Sequence, residues 1–270
     1  THKIRFLFVV VLSLSLNGAF AVNTFKGTVG SDWFNPSNWD TGIVPVAGDE
    51  VVISANVVLT NSTPVLASYT LESSKVHTFA GWDTTLNAST VMLNGILTHT
   101  NNLATNTVDG VWVPNARVNV QCVSLTVGST GKIDVNYKGF PGGILGAPKG
   151  AGPGGGGTAY TGGGGGYGGI GGTSKDRAAG GLVYGSESEP TMPGSGGGLG
   201  TWTNLKGGAG GGAVCIIASG PVNVIGTITA DGQNGTGGAA GGGSGGAVYI
   251  HCSTFAGTGK ITSKGNSTNF

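Results

Sequence analysis

Short runs of alternating apolar and polar residues recur along this chain, and they predict β-strands. The runs are rich in Val, Ile, Leu and Thr, and Gly, Asn, Ser and Asp separate them. Clear examples are 51–53, 57–59, 91–97, 118–127, 214–218 and 248–252. No long stretch carries apolar residues at the i, i+3, i+4 and i+7 positions of an amphipathic helix. The sequence therefore predicts an all-β protein.

Two phrases repeat near the C-terminal end of the sequence. The phrase at 211–217 matches 245–251 at an offset of 34 positions, and the phrase at 226–232 matches 259–265 at an offset of 33. Weaker copies of the second phrase occupy 131–136 and 95–98. A unit of two or three short strands cannot bury its apolar face alone, whereas stacked copies can. The repeat therefore predicts a β-solenoid.

Alternation along each repeated strand predicts which side chains lie inside. The core should contain Val214, Ile216 and Ala218, stacked on Val248, Ile250 and Cys252. The residues between them should point outward: Cys215, Ile217, Tyr249 and His251.

The glycine-rich stretch 139–212 admits two interpretations. It is either a disordered insert or ordered backbone that packs closely because glycine lacks a Cβ. Four aromatic residues lie at intervals along this stretch and favour partial order: Tyr160, Tyr167, Tyr184 and Trp202. We expect long loops that emerge from one side of the solenoid.

The N-terminal residues have the pattern of a secretory signal peptide. Lys3 and Arg5 precede an apolar run at 6–16, and 19–21 reads small-x-small, so the mature chain should begin at Val22. The run is too short to span a bilayer comfortably. We expect a secreted or cell-surface protein whose mature segment does not insert into a membrane. The chain starts with Thr1, so we also expect a fragment.

Together these patterns divide the chain into five segments. They are a signal peptide (1–21), an N-terminal cap with the first coil (22–60), β-helix coils (61–138), the glycine-rich loop region (139–212) and further coils expected to continue beyond the fragment (213–270).

Several phrases resemble the glycine-rich right-handed parallel β-helix proteins of secreted and surface type. They are 207–213, 226–232 and 242–250, and at the N-terminal end 33–39, 42–45 and 48–53. Filamentous-haemagglutinin-like and autotransporter-adhesin-like proteins have this architecture. The resemblance implies an extracellular or cell-surface location and a right-handed parallel β-helix. It implies no catalytic residues, since the architecture serves adhesins and polysaccharide enzymes alike.

The aromatic residues of the N-terminal phrase at 33–39, which we call the opening phrase, suit a capping role. A solenoid's first coil exposes a sheet edge and an open core. Trp33, Phe34 and Trp39 are large enough to close that end, while Pro36 and Pro45 fix turns. The alternative is an aromatic sugar-binding platform.

Composition argues against several function classes. The sequence has 13 Lys and Arg against 12 Asp and Glu, and only 9% of its residues are charged. It therefore lacks the excess of basic residues that nucleic-acid binding requires. Its 56 glycines lack the Gly-X-Y period of collagen. The three cysteines form no CxxC pair, and we expect two of them to be small buried apolar residues rather than parts of a disulfide framework or zinc site.

No motif predicts a catalytic, metal or cofactor site. The phosphate-loop pattern fails because Ile261 follows Gly259-Lys260, and the histidines are scattered singly. No aspartate recurs at the spacing of calcium-binding coils. The repeat brings Asp231 near Lys264, which we interpret as a surface pair rather than an acid–base site.

The sequence favours a non-catalytic structural or adhesive module whose partners are glycans or other surface proteins. Tyr160, Tyr167 and Trp202 are the candidates for stacking on sugar rings, although they could instead pin the loops to the solenoid. Two alternatives stay open. One is a polysaccharide lyase or hydrolase with its site in the loops or beyond Phe270, and the other is a passenger or spacer segment of a longer surface-anchored protein.

Overall fold

The computed structural model describes residues 22–105, 107–202 and 204–266, and this part of the chain is all-β with large parallel sheets. The signal-peptide prediction falls on 1–21, which lie outside the described residues. Seventeen strands are present in these ranges: β1 (Val22–Phe25), β2 (Glu50–Ile53), β3 (Val57–Leu59), β4 (Leu66–Leu71), β5 (Val76–Phe79), β6 (Leu86–Leu93), β7 (Ile96–His99), β8 (Thr107–Val108), β9 (Val111–Trp112), β10 (Val118–Val127), β11 (Lys132–Asp134), β12 (Ala213–Ala218), β13 (Pro221–Val224), β14 (Thr227–Thr229), β15 (Ala247–His251), β16 (Thr254–Ala256) and β17 (Lys260–Thr262). Two 3-10 turns, Pro36–Asn38 and Thr236–Gly238, are the helical elements of the described ranges.

The strands alternate along the chain between two parallel sheets. Sheet A has the order β1-β2-β4-β6-β10-β12-β15, with β13 pairing β10 and β16. Sheet B has the order β3-β5-β7-β11-β14-β17. The hairpin β8-β9 is antiparallel and stands apart from both. Parallel neighbours need a crossover connection, and from β2 onward each crossover passes through a strand of the other sheet.

The predicted pairing of the repeats is confirmed. Val214 pairs with Val248 at the offset of 34, and Ile228 pairs with Ile261 at the offset of 33. The weaker copies also align, because Ile133 pairs with both Ile228 and Leu97. Equivalent apolar side chains thus stack in columns between the sheets.

The apolar core lies between the two sheets and follows the predicted alternation in β12. Val214, Ile216 and Ala218 are buried, and Val248 and Ile250 pack against this core from β15. Cys215, predicted to point outward, is buried with 7% exposure but does not belong to the core cluster that contains Val214 and Ile216. Cys215 lies between Asn119 and Tyr249 on the two flanking strands, and side chains one strand apart cover one another.

The described part of 139–212 has no β-strand, but its backbone hydrogen bonds follow a period of three. In segment 194–198, the N–H groups of Gly194 and Gly197 both donate to segment 207–212, at 2.8 and 2.9 Å. The N–H of Gly196, between them, donates to a different segment at 2.9 Å. A β-strand alternates between two sides, whereas three residues per turn is the period of the polyproline II conformation.

Further segments repeat this threefold pattern. Pairs of N–H groups three residues apart donate to one neighbour: 207 and 210 to 140–143, 208 and 211 to 241–244, 241 and 244 to 195–198, 243 and 246 to 230–233, 162 and 165 to 239–242, and 163 and 166 to 154–157. We call the segments 139–143, 150–157, 162–166, 194–198, 207–212 and 241–246 the glycine bundle. Each segment is hydrogen-bonded to several others, so the bundle has a defined backbone packing.

Close backbone approach explains the composition of the glycine bundle. A Cβ placed on Gly198 would overlap the carbonyl oxygen of Gly157, and one on Gly210 would overlap that of Gly194. Residues with side chains do not fit at such positions. The bundle adjoins the sheets at its ends, where Phe140 is fully buried and Gly212 contacts His99.

Candidate functional site

Among the described residues, no group of three or more His, Cys, Asp or Glu side chains could hold a metal ion. The carboxylate of Asp231 accepts hydrogen bonds from the Thr262 hydroxyl (2.9 Å) and the Lys264 backbone N–H (2.7 Å). The predicted proximity of Asp231 and Lys264 therefore holds, but the carboxylate binds the lysine's backbone and serves the packing of adjacent strands.

Cys122 and Cys215 are not activated as nucleophiles. All three cysteines are free. Burial raises the pKa of the Cys122 thiol to about 11, and it also raises the pKa of the Cys215 thiol. A thiolate is the reactive form, so neither thiol is primed for chemistry near neutral pH.

Two of the three predicted sugar-contact residues form one exposed aromatic surface. The rings of Tyr160 and Trp202 are stacked, with centroids 5.3 Å apart and planes inclined by 18°. Tyr160 is 49% exposed and Trp202 is 61% exposed. We call this stacked pair the aromatic platform. Stacking covers part of one face of each ring, so the ring surface that stays exposed is what can meet the C–H face of a sugar ring.

Backbone contacts hold the aromatic platform on the glycine bundle. The N–H of Thr201 donates to the carbonyl of Ala159 (3.0 Å), and the hydroxyl of Thr158 donates to the carbonyl of Leu199 (2.9 Å). The Thr201 hydroxyl adds a second bond to Ala159 at 3.0 Å. The two rings thus lie on neighbouring, hydrogen-bonded segments that fix their separation.

Tyr167 lies in a different environment from the other two candidates. It is half-buried, and its ring meets Tyr184 edge-on at 4.9 Å. Burial raises the pKa of Tyr167 to about 12. The hydroxyl of Tyr184 donates to the carbonyl of Pro193 and accepts from Ser195 (2.9 Å). Tyr167 thus packs against a hydrogen-bonded residue of the same glycine-rich stretch.

The aromatic residues of the opening phrase lie at the β1 end of the sheets. Trp33 is fully buried, and Trp39 donates from Nε1 to the carbonyl of Trp33 at 2.7 Å, with ring centroids 4.9 Å apart. Phe34 is half-buried against the core. The chain around Trp39 covers part of the outer edge of β1, since the N–H of Asp40 donates to the carbonyl of Thr24 (3.0 Å) and Phe25 forms an antiparallel bridge with Trp39. This arrangement matches what a cap requires.

Sequence reasoning missed the pairing of Tyr160 with Trp202. The two residues are far apart in the chain, and the glycine segments that bring them together carry no apolar pattern. It also missed a groove on the outer face of sheet A, which is described below.

Comparison with protein-family models, curated proteins and solved structures finds no match for this chain. None of the helical elements among the described residues is long and apolar enough to cross a membrane.

Proposed function

We propose that this chain is a secreted or cell-surface right-handed parallel β-helix of the adhesin-like type, acting as a non-catalytic structural or adhesive module that contacts glycans. The architecture is supported by strands that alternate between two parallel sheets, with the next copy in register on each. Trp33, Phe34 and Trp39 act as its N-terminal cap in this proposal. The observation that carries the glycan contact is the aromatic platform of Tyr160 and Trp202.

The aromatic platform suits recognition rather than catalysis. Stacking of a sugar ring on an aromatic face needs area and rigidity, and both rings are exposed and fixed by their segments. Tyr and Trp lose little conformational entropy on binding, which is why they serve often as anchors. No acid–base pair accompanies the rings among the described contacts of the platform.

Replacing Trp202 with alanine should weaken glycan binding at least about tenfold, which corresponds to about 1.4 kcal/mol. The loss is expected because the largest exposed ring of the platform is removed. Binding of wild type and W202A to a glycan array measures it, with circular dichroism as the check on folding.

Tyr137→Ala is the matched control, because Tyr137 is 48% exposed and lies outside the platform. It should bind like wild type. Equal binding by W202A and wild type would contradict the platform's role. A reducing-end assay on the same glycans addresses the enzyme alternative, and the proposal expects no release of new ends.

A further inference from the structure

The outer face of sheet A contains a groove that runs across four adjacent strands. It consists of two concavities of about 510 and 200 Å³, which share Gln121 and Cys122 as lining residues. The sheet bends here, because the strand that pairs with the first half of β10 ends at Ala218 and the strand that pairs with its second half begins at Pro221. A corresponding gap separates β15, which ends at His251, from β16, which begins at Thr254. We call this feature the sheet A groove.

The strand register aligns one side of the groove into a row. Asn87 pairs with Gln121, Gln121 with Ile217, and Ile217 with His251. Adjacent strands are about 4.8 Å apart, so the row extends roughly 14 Å along the stacking direction. Its members present an amide, a second amide, an aliphatic group and an imidazole.

The other side of the groove is built from the bend itself. The N–H of Ser219 donates to the carbonyl of Cys122 (3.1 Å), and the N–H of Ser253 donates to that of Gly220 (3.1 Å). Ser219 and Ser253 thus line the groove opposite the row, and Val123, 52% exposed, adds an apolar group.

The lining is neutral and mixes hydrogen-bonding with apolar groups. Among the described residues that line the two concavities, none is Asp, Glu, Lys or Arg. Hydroxyl groups of a ligand in the groove can form hydrogen bonds with Gln121, His251 and the serines. C–H surface of the ligand can make apolar contacts with Ile217 and Val123.

An extended peptide is disfavoured by the backbone of the groove. Peptides that join a sheet do so by hydrogen-bonding to a free strand edge. Strands β6, β10 and β12, which form most of the groove, are each paired on both sides. Recognition here must therefore use side chains.

We propose that the sheet A groove binds a neutral polysaccharide chain lying along the stacking direction of the strands. This inference rests on the proposed glycan-contacting function and assigns it a second, extended site. A sugar chain presents hydroxyl groups and C–H faces in alternation along its length, which matches the lining. The absence of a charged lining residue in the described groove favours neutral over anionic chains.

Titration calorimetry with cellohexaose and mannohexaose as neutral probes, and with an oligogalacturonate as the anionic probe, tests the groove. Gln121→Ala and His251→Ala should each weaken binding of a neutral probe at least tenfold. Ser219→Trp, which fills the groove, should abolish it. Thr126→Ala is the control, because Thr126 is half-buried on the same strand but outside the groove.

The outcomes separate this inference from the function on which it rests. Weakened binding in the groove variants, with Thr126→Ala unchanged, supports the groove. If wild type binds a neutral probe and only Trp202→Ala loses it, the groove is overturned and the proposed function stands. Tighter binding of the anionic probe also overturns the groove. If wild type binds no saccharide of any kind, both fail.

Discussion

Gly198→Ala should destabilise the protein by about 3 kcal/mol, in the upper range for overpacking substitutions. A Cβ at this position would overlap the backbone carbonyl of Gly157, and backbone held by several hydrogen bonds cannot move aside as a flexible side chain can. For a chain of this size the melting temperature should fall by roughly 6–12 °C. Thermal unfolding followed by circular dichroism measures the change.

Gly169→Ala is the matched control for this prediction. Gly169 is exposed, and a Cβ there would meet nothing within 4 Å. We expect its melting temperature to change little or to rise slightly, since alanine reduces the freedom of the unfolded chain. Equal melting temperatures for Gly198→Ala and Gly169→Ala would show that the glycine bundle does not form as described.

Acid should destabilise the protein steeply below about pH 6.5, because two histidines are buried in neutral form. Burial lowers the pKa of His77 to about 3 and that of His99 to about 4. At pH values between the ordinary histidine pKa and these lowered values, the unfolded chain binds more protons than the folded chain. Their contribution to stability is therefore complete above about pH 6.5 and is lost as the pH falls. Each imidazole should contribute about 1.4 kcal/mol per pH unit down to about pH 4.

The contacts of His99 explain why protonation is unfavourable. Its Nδ1 donates to the carbonyl of Thr100 at 2.6 Å, and its Nε2 accepts from the backbone N–H of Ala213 at 3.2 Å. A proton added to Nε2 would face that N–H donor. His99 thereby ties β7 to the start of β12, on either side of the glycine-rich stretch.

Urea unfolding at several pH values between 6.5 and 4 measures the slope of the unfolding free energy. His99→Gln and His77→Phe should each reduce this slope by about 1.4 kcal/mol per pH unit, whatever their effect on stability at neutral pH. Thr126→Ala is the control, because it removes no titratable group, and its slope should equal that of wild type. An unchanged slope in both core variants would contradict the buried neutral state.

The stacked strands could be predicted from the sequence because they repeat and alternate. The phrase around Val214 recurs around Val248, and its apolar positions have the period of a strand, so both the pairing and the buried face follow. The burial of Cys215 could not be derived in this way, because alternation describes one strand at a time. Its burial depends on neighbours from two other strands, Asn119 and Tyr249.

The glycine bundle could not be derived in the same way. Its segments have no side chains to create an apolar pattern, so the sequence allows both ordered packing and disorder. The threefold hydrogen bonding appears only when the segments lie side by side, as Gly194 and Gly197 do with Gly211 and Gly208. The aromatic platform depends on that packing, which is why Tyr160 and Trp202 could be proposed singly but not as a pair.

Hydrogen–deuterium exchange of the amides in 194–198 and 207–212 tests the ordered scaffold on which the aromatic platform stands. We predict slow exchange comparable to that of the central strand β10 at Gly194, Gly197, Gly207 and Gly210, because these N–H groups donate to carbonyls of neighbouring segments of the glycine bundle. Exchange at the rate of an unstructured peptide in both segments would contradict the account, since nothing would then hold the two rings of the platform together.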